Sequence, residues 1–438
     1  MPYRPRRSDS KMKPTEKTKK NSSKVSSRLS LGEHVPKLRF PGFEGEWENM
    51  RWGNLGLFFG GLTGKTKDDF GVGGSYFIPY MNVYKNIIAD NKMLEPVNIR
   101  KEEKQNVVKY GDILLTQSSE TIEEIGLASV WIDNNEPYLN SFCFAFRLNK
   151  EGISPIWFSY LMRSYNVRKL IMREGQGITR VNLSSERLKS VILKIPSLEE
   201  QEKIASTLSL LDSRIAAQRK LVELLKKHKR GVIEQIFRQH LGVGKNSEKW
   251  NVVELRDLFS KVLRRNKDGL VKNVITNSAE FGLIPQRDFF DKSIAVDGNT
   301  EGYYIIRTGD FVYNPRKSTT APFGPFNRYT GIEDGIISPL YTCLVPNEKA
   351  NPEYLAWYFR STSWHRYVYD NGSQGARHDR VNMTDDLLLG IPVRLPPFAV
   401  QEKIAKCLNA IDARWSSANK ALAYLEDMKR GLLQQLFV

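Results

Sequence analysis

The sequence predicts two mixed α/β (α+β) modules in tandem, each followed by a long helix. The two helices are expected to pair antiparallel as a coiled coil about an internal pseudo-twofold axis. Three observations carry this reading. One segment recurs at an offset of 200 residues. Both copies of it keep an apolar period of about 3.5 residues, the signature of a coiled-coil seam. The stretches upstream of the two copies differ from each other and hold short apolar runs broken by Gly, Asn and Pro.

The repeat is plain in the residues. Gln201-Glu202-Lys203-Ile204-Ala205 returns as Gln401-Glu402-Lys403-Ile404-Ala405, and Lys229-Arg230-Gly231 as Lys429-Arg430-Gly431. Gln235 and Phe237 return as Gln435 and Phe437, and 196–237 shares 16 identities in 42 positions with 396–437. Arg180-Val181-Asn182 matches Arg380-Val381-Asn382, Gly111-Asp112 answers Gly309-Asp310, and Trp47 answers Trp250. Repeats of this size usually mark a duplicated architecture.

Taken in chain order, residues 1–35 form a basic arm. Ten of the first 30 side chains are Lys or Arg against Asp9 and Glu16, which leaves +8 of the chain's formal +17 there. With almost no apolar residues, this arm is expected to be disordered. Residues 36–195 form the first module. Asp112–Leu115 and Phe142–Phe146 read as buried strands, and Trp157–Met162 as a helix packed by aromatics.

Residues 196–240 follow as the first long helix, opened by Pro196 and by a capping box of Ser197 with Glu200. Its seam runs through Ile204, Leu208, Leu211, Ile215, Val222 and Leu225. Residues 241–395 hold a linker and the second module, in which Tyr354–Phe359 again reads as an aromatic helix. Residues 396–438 form the second long helix, with Ile404, Leu408, Ile411, Trp415, Leu422 and Leu425 on its seam. About 40 residues at ~1.5 Å each make a rod of about 60 Å. The alternative is a pair of core helices in an ordinary bundle.

The sequence also argues against several classes. No uncharged apolar run approaches the ~18 residues of a membrane helix, and no apolar signal region follows the start. Cys143, Cys343 and Cys407 are far apart, which argues against a disulfide framework or a zinc site. The expectation is a soluble, reduced, cytoplasmic protein. Gly60–Thr66 resembles a phosphate-binding loop, but Phe59 stands where the motif needs glycine. Asn351-Pro352-Glu353-Tyr354 resembles the tetrapeptide of amino-methyltransferases without its second proline, and no Phe-x-Gly-x-Gly cofactor loop accompanies it. The Pro-Glu pair more simply starts a helix. The five histidines show no metal-ligand spacing. No catalytic residue and no metal ligand can be singled out.

Two differing modules, each closed by Gln-Glu-Lys-Ile-Ala and a helix ending Lys-Arg-Gly-x-x-x-Gln-x-Phe, resemble the specificity subunit of type I restriction-modification enzymes. Leu38-Arg39-Phe40-Pro41-Gly42-Phe43 with Trp47 is similar to how such subunits begin. The resemblance covers about 36–438; Ser197 departs from a usual proline and Val400 from a usual glutamate. It implies a non-catalytic reader of double-stranded DNA, in which each module is a target recognition domain for one half of an asymmetric, interrupted site. The paired helices would set the spacing and dock two modification subunits. Those partners would bring S-adenosylmethionine and methylate adenine. Restriction subunits would then bring ATP and magnesium chemistry; none of these cofactors is expected in this chain.

Base reading calls for Arg or Lys toward guanine and Asn or Gln toward adenine. The DNA-binding candidates in the first module are Lys65, Thr66, Lys67, Tyr84, Gln117, Ser118, Gln176 and Arg180. In the second they are Gln286, Arg287, Asn314, Arg316, Lys317, Arg377, His378 and Arg380. Arg180 and Arg380 recur although the modules diverge, which favours phosphate contact or a structural bond at a shared place. A self-sufficient DNA methyltransferase and a coiled-coil scaffold without DNA contact are the competing readings.

Overall fold

The computed structural model describes residues 35–238, 250–288, 300–372 and 379–438. The arm 1–30, the linker His240–Lys245, Arg377 and His378 lie outside the described residues. The chain forms two units, one of residues up to Arg214 with Leu425–Val438, the other Ile215–Tyr424. These boundaries fall inside both long helices. Each helix has two halves that pack into different cores.

In the first unit a four-stranded antiparallel sheet runs in the order Gly56–Gly60, Cys143–Leu148, Ile113–Thr116, Ala128–Val130. The helix Pro155–Arg163 packs on it, started by Ser154, whose hydroxyl accepts from Trp157 N. A second sheet orders Glu95–Val97, Phe70–Ile78 and Tyr138–Leu139. Glu48–Arg51 pairs antiparallel with Ile192–Ile195, the strand leading into the first long helix.

The second unit repeats the plan with other residues. Its sheet orders Phe259–Lys261, Thr342–Pro346, Phe311–Tyr313, Phe326–Arg328. The helix Pro352–Phe359 starts at Asn351, whose Oδ1 accepts from Glu353 N and Tyr354 N. Pro352-Glu353 thus opens a helix, as the simpler reading held. Asn251–Glu254 pairs with Pro392–Leu395, the strand leading into the second long helix.

The long helices span Leu198–Phe237 and Phe398–Gln435. Within the second unit they run antiparallel: Gln218 Nε2 donates to Ala418 O at 2.8 Å, and Lys229 meets Asp412. Val222, Leu225 and Ala418 form an apolar cluster with Trp415 and Leu422. The rest of the seam behaves differently. Ile204 and Leu208 belong to the first unit's core, and Ile404, Leu408 and Ile411 to the second's. Leu211, Ile215 and Leu425 are buried. A periodic apolar stripe therefore serves as coiled-coil seam along one stretch and as module-docking face at the helix starts.

The helix ends are docked too. Phe437 packs edge-on to Trp47 and tilted against Trp157, with centroids 6.4 and 6.2 Å away, inside the first unit. Phe237 packs on Tyr354 and Tyr358 at 5.4 and 5.6 Å inside the second. The capping box of Ser197 forms only in part. Ser197 Oγ accepts from Glu200 N at 3.4 Å, but the Glu200 carboxylate turns to Arg39, at 2.7 and 2.9 Å. A charge-assisted bidentate pair outweighs a neutral backbone N–H. No helix among the described residues is long and apolar enough to cross a membrane.

Candidate nucleic-acid interface

The sheet edge of the first unit gathers four of the candidates. Ser118–Ser119 pairs antiparallel with Val181–Asn182. Gln117 N donates to Phe142 O at 2.8 Å, and Leu183 N donates to Gln117 O at 2.9 Å. Gln176 and Asn182 exchange both backbone hydrogen bonds, at 2.9 and 2.7 Å, closing a short hairpin. Gly177 makes that turn at φ +121°, and a Cβ there would lie 2.1 Å from Arg180 O. The Arg180 guanidinium lies 5.3 Å from the centre of the Phe142 ring. Gln117, Ser118, Gln176 and Arg180 thus share one edge, where Gln176 and Arg180 are exposed and Ser118 is buried.

The second unit builds a matching edge. Arg316 and Arg380 form an antiparallel bridge, and Val381 N donates to Pro315 O at 2.9 Å, as Leu183 does to Gln117. Lys317 N donates to Asp379 O at 2.8 Å. The Asp379 carboxylate lies 3.7 Å from Arg316 Nε and 3.8 Å from Arg380 Nε. Arg316 remains 69% exposed at its side chain. Asn314 is buried and structural, its Oδ1 accepting from Arg316 N and its Nδ2 donating to Asn277 O. Arg180 immediately precedes the Val181–Asn182 strand, whereas Arg380 is itself the bridge partner of Arg316.

The remaining candidates sit elsewhere. Lys65 spends its ammonium inside the protein: Nζ lies 2.5 Å from Glu103 and donates to Asn98 O at 2.6 Å, leaving the side chain 2% exposed. Thr66 caps a turn through Asp69, whose carboxyl is held below its usual range by the Thr66 backbone and hydroxyl. Lys67 is exposed in that turn. Tyr84 donates its hydroxyl to Glu124 at 3.0 Å, and that carboxylate raises the phenol's pKa. Gln286 and Arg287 stand in the turn after Gly282–Pro285, with Gln286 N donating to Val274 O. Among the described residues no group of three or more His, Cys, Asp and Glu could hold a metal ion.

Two repeated pairs were not singled out as anchors, although the repeat contains them. Gln201 Oε1 accepts from Ser154 N at 2.9 Å while Nε2 donates to Gly152 O and Pro196 O. Gln401 does the same with Asn351 N and Pro396 O, both at 2.8 Å. Each amide ties the start of a long helix to the capped start of its module's aromatic helix. Asp112 and Asp310 are buried turn anchors. Asp112 accepts from Arg147 Nε and Nη2 at 2.9 and 2.6 Å. Asp310 meets Arg264 and accepts from Arg307 N, and burial pushes its carboxyl up. The signal is the repeat itself: a polar residue kept identical in both copies.

The fold and edges define a class: two tandem α/β modules of similar plan, each closed by a long helix that begins on its own module. Residues 44–227 match the family described as type I restriction modification DNA specificity domain. The chain is similar to the putative type I restriction enzyme MjaX specificity subunit of Methanocaldococcus jannaschii, 26% identical over 412 residues, covering 86% of this chain and 89% of that one. It is 22% identical over 364 residues to the StySPI specificity subunit of Salmonella potsdam, covering 78% and 77% of the two chains. Among solved structures, the type I S subunit of M. genitalium superposes with TM-score 0.53 at 15% identity, covering 92% of this chain and 99% of that chain. A structure describing assembly and conformational transition of the type I R-M system gives 0.56 at 16%, with the same coverage. Residues 44–227 thus resemble a type I restriction modification DNA specificity domain, and the relatives extend the similarity over most of the chain.

Proposed function

We propose that this chain is the DNA sequence-specificity subunit of a type I restriction-modification complex and performs no chemistry itself. Each module reads one half of an asymmetric bipartite site. The paired helices set the spacing and dock two modification subunits. S-adenosylmethionine enters through those partners, ATP and magnesium through restriction subunits, and the complex works in the cytoplasm. One observation carries this reading: two modules of differing sequence are closed by nearly the same helix start, Gln201 and Gln401 making the same bonds. A covalent pseudo-dimer with unlike readers suits an asymmetric site, whereas a symmetric dimer suits a palindrome.

Mapping methylated adenines across the genome of cells with and without the chain tests this. A two-part motif should appear only with the chain, and exchanging residues 36–195 for another family member's first module should change one half alone. A swap that altered both halves would sink the two-reader mechanism. Purified chain incubated with labelled S-adenosylmethionine and DNA should transfer no methyl group; transfer would favour a self-sufficient methyltransferase.

A further inference from the structure

The hairpin closed by Gln176 and Asn182 carries Ile178 at its tip with the side chain wholly exposed. The turn beneath it is stiff. Two backbone bonds close it, Gly177 holds a conformation that disfavours a side chain, and Val181 is buried in the first unit's core. A β-branched residue adds little rotamer freedom of its own. The protein thus presents an apolar side chain to water on a closed turn, two residues from Arg180, whose guanidinium lies over the 49%-exposed Phe142.

Exposure alone says little, since single apolar residues on a surface are ordinary. Ile332 in the second unit is equally exposed, but its immediate neighbours Glu333 and Asp334 are acidic, with Asp334 3.4 Å from Arg307. Two residues from Ile178 stands Arg180, which attracts a phosphate backbone. Proteins that push an apolar side chain between base steps combine these features, a stiff apolar tip with a basic neighbour on the backbone.

We propose that Ile178 is a wedge that partly unstacks one base step of the DNA read by the first module, with Arg180 on the adjoining phosphate. This rests on the DNA-reading function proposed above. The test uses the full chain assembled with its modification subunits, and duplexes carrying the mapped site with 2-aminopurine at successive positions of the first half. Binding should brighten one step. Ile178→Ala should abolish that rise and weaken binding about tenfold, while Ile332→Ala should leave both unchanged. Wild-type complex that binds its site without brightening any step, or Ile178→Ala that keeps the full rise, overturns the wedge. Wild-type complex that shows no preference for the mapped site overturns the DNA-reading function instead.

Discussion

Lys229 Nζ lies 2.7 Å from Asp412 Oδ1 and 4.1 Å from the centre of the Trp415 ring. The same residue types meet in the first unit, where Lys429 lies 2.5 Å from Asp212, and Asp212 also accepts from Tyr160 OH at 2.7 Å. Each pair ties one long helix to the other at a fixed register. Being partly exposed, the pair contributes about 1 kcal/mol of coupling. Lys229→Glu should therefore lower the melting temperature through like-charge contact with Asp412, and adding Asp412→Lys should recover most of the loss. A double-mutant cycle by denaturant titration checks it, with zero coupling counting against a register lock.

The docked helix ends give a second prediction. Phe437→Ala should destabilise the first unit by about 3–5 kcal/mol, and Phe237→Ala the second by a similar amount, because each empties an aromatic pocket. Hydrogen exchange reads the two units separately. Protection around Trp47 and Trp157 should fall in the first variant, and around Tyr354 and Tyr358 in the second. Equal losses in both units from either change would contradict the assignment of each phenylalanine to one core.

Gln201→Ala should cost about 2–3 kcal/mol, since it leaves Ser154 N and the carbonyls of Gly152 and Pro196 without their partner. Gln201→Glu should do more damage at neutral pH, by setting a carboxylate oxygen against two carbonyls. Thermal unfolding of the two variants checks the order.

His365 lies against Phe323 and Trp364 at ring distances of 4.9 and 4.8 Å, and burial lowers its pKa although the Glu234 carboxylate opposes the shift. The unfolded chain takes up this proton near the ordinary value of about 6.5, the folded chain only at lower pH. Stability from this group is present above that value and is lost as pH falls from it toward the folded pKa. Unfolding titrations between about pH 7 and 5 should show this slope, and His365→Phe should flatten it.

The parts of the fold legible in the sequence were those written locally. The long helices and their seam declare themselves through apolar spacing, and the aromatic helices through the runs Trp157–Met162 and Tyr354–Phe359. Strand order in the modules was not legible, because strands as short as Ser118–Ser119 are defined by partners more than 60 residues away. The same long-range pairing brought Gln117, Gln176 and Arg180 together, which composition alone suggested only as scattered loop residues. Lys65 looked available because its sequestration by Glu103 is a tertiary fact. Gln201 looked like one more polar helix residue, since nothing local says that an amide at a helix start is buried.

The first unit includes Leu425–Val438, and this has a consequence for birth on the ribosome. The Trp47 and Trp157 pocket is translated early, but Phe437, which fills it, emerges hundreds of residues later. At about 5–20 residues per second that interval is tens of seconds. Through it the nascent first module keeps an aromatic socket open, and any apolar segment nearby can enter it in place of the proper one. The part made first is finished last, so its safe maturation depends on the speed of elongation and on whatever shields the open socket.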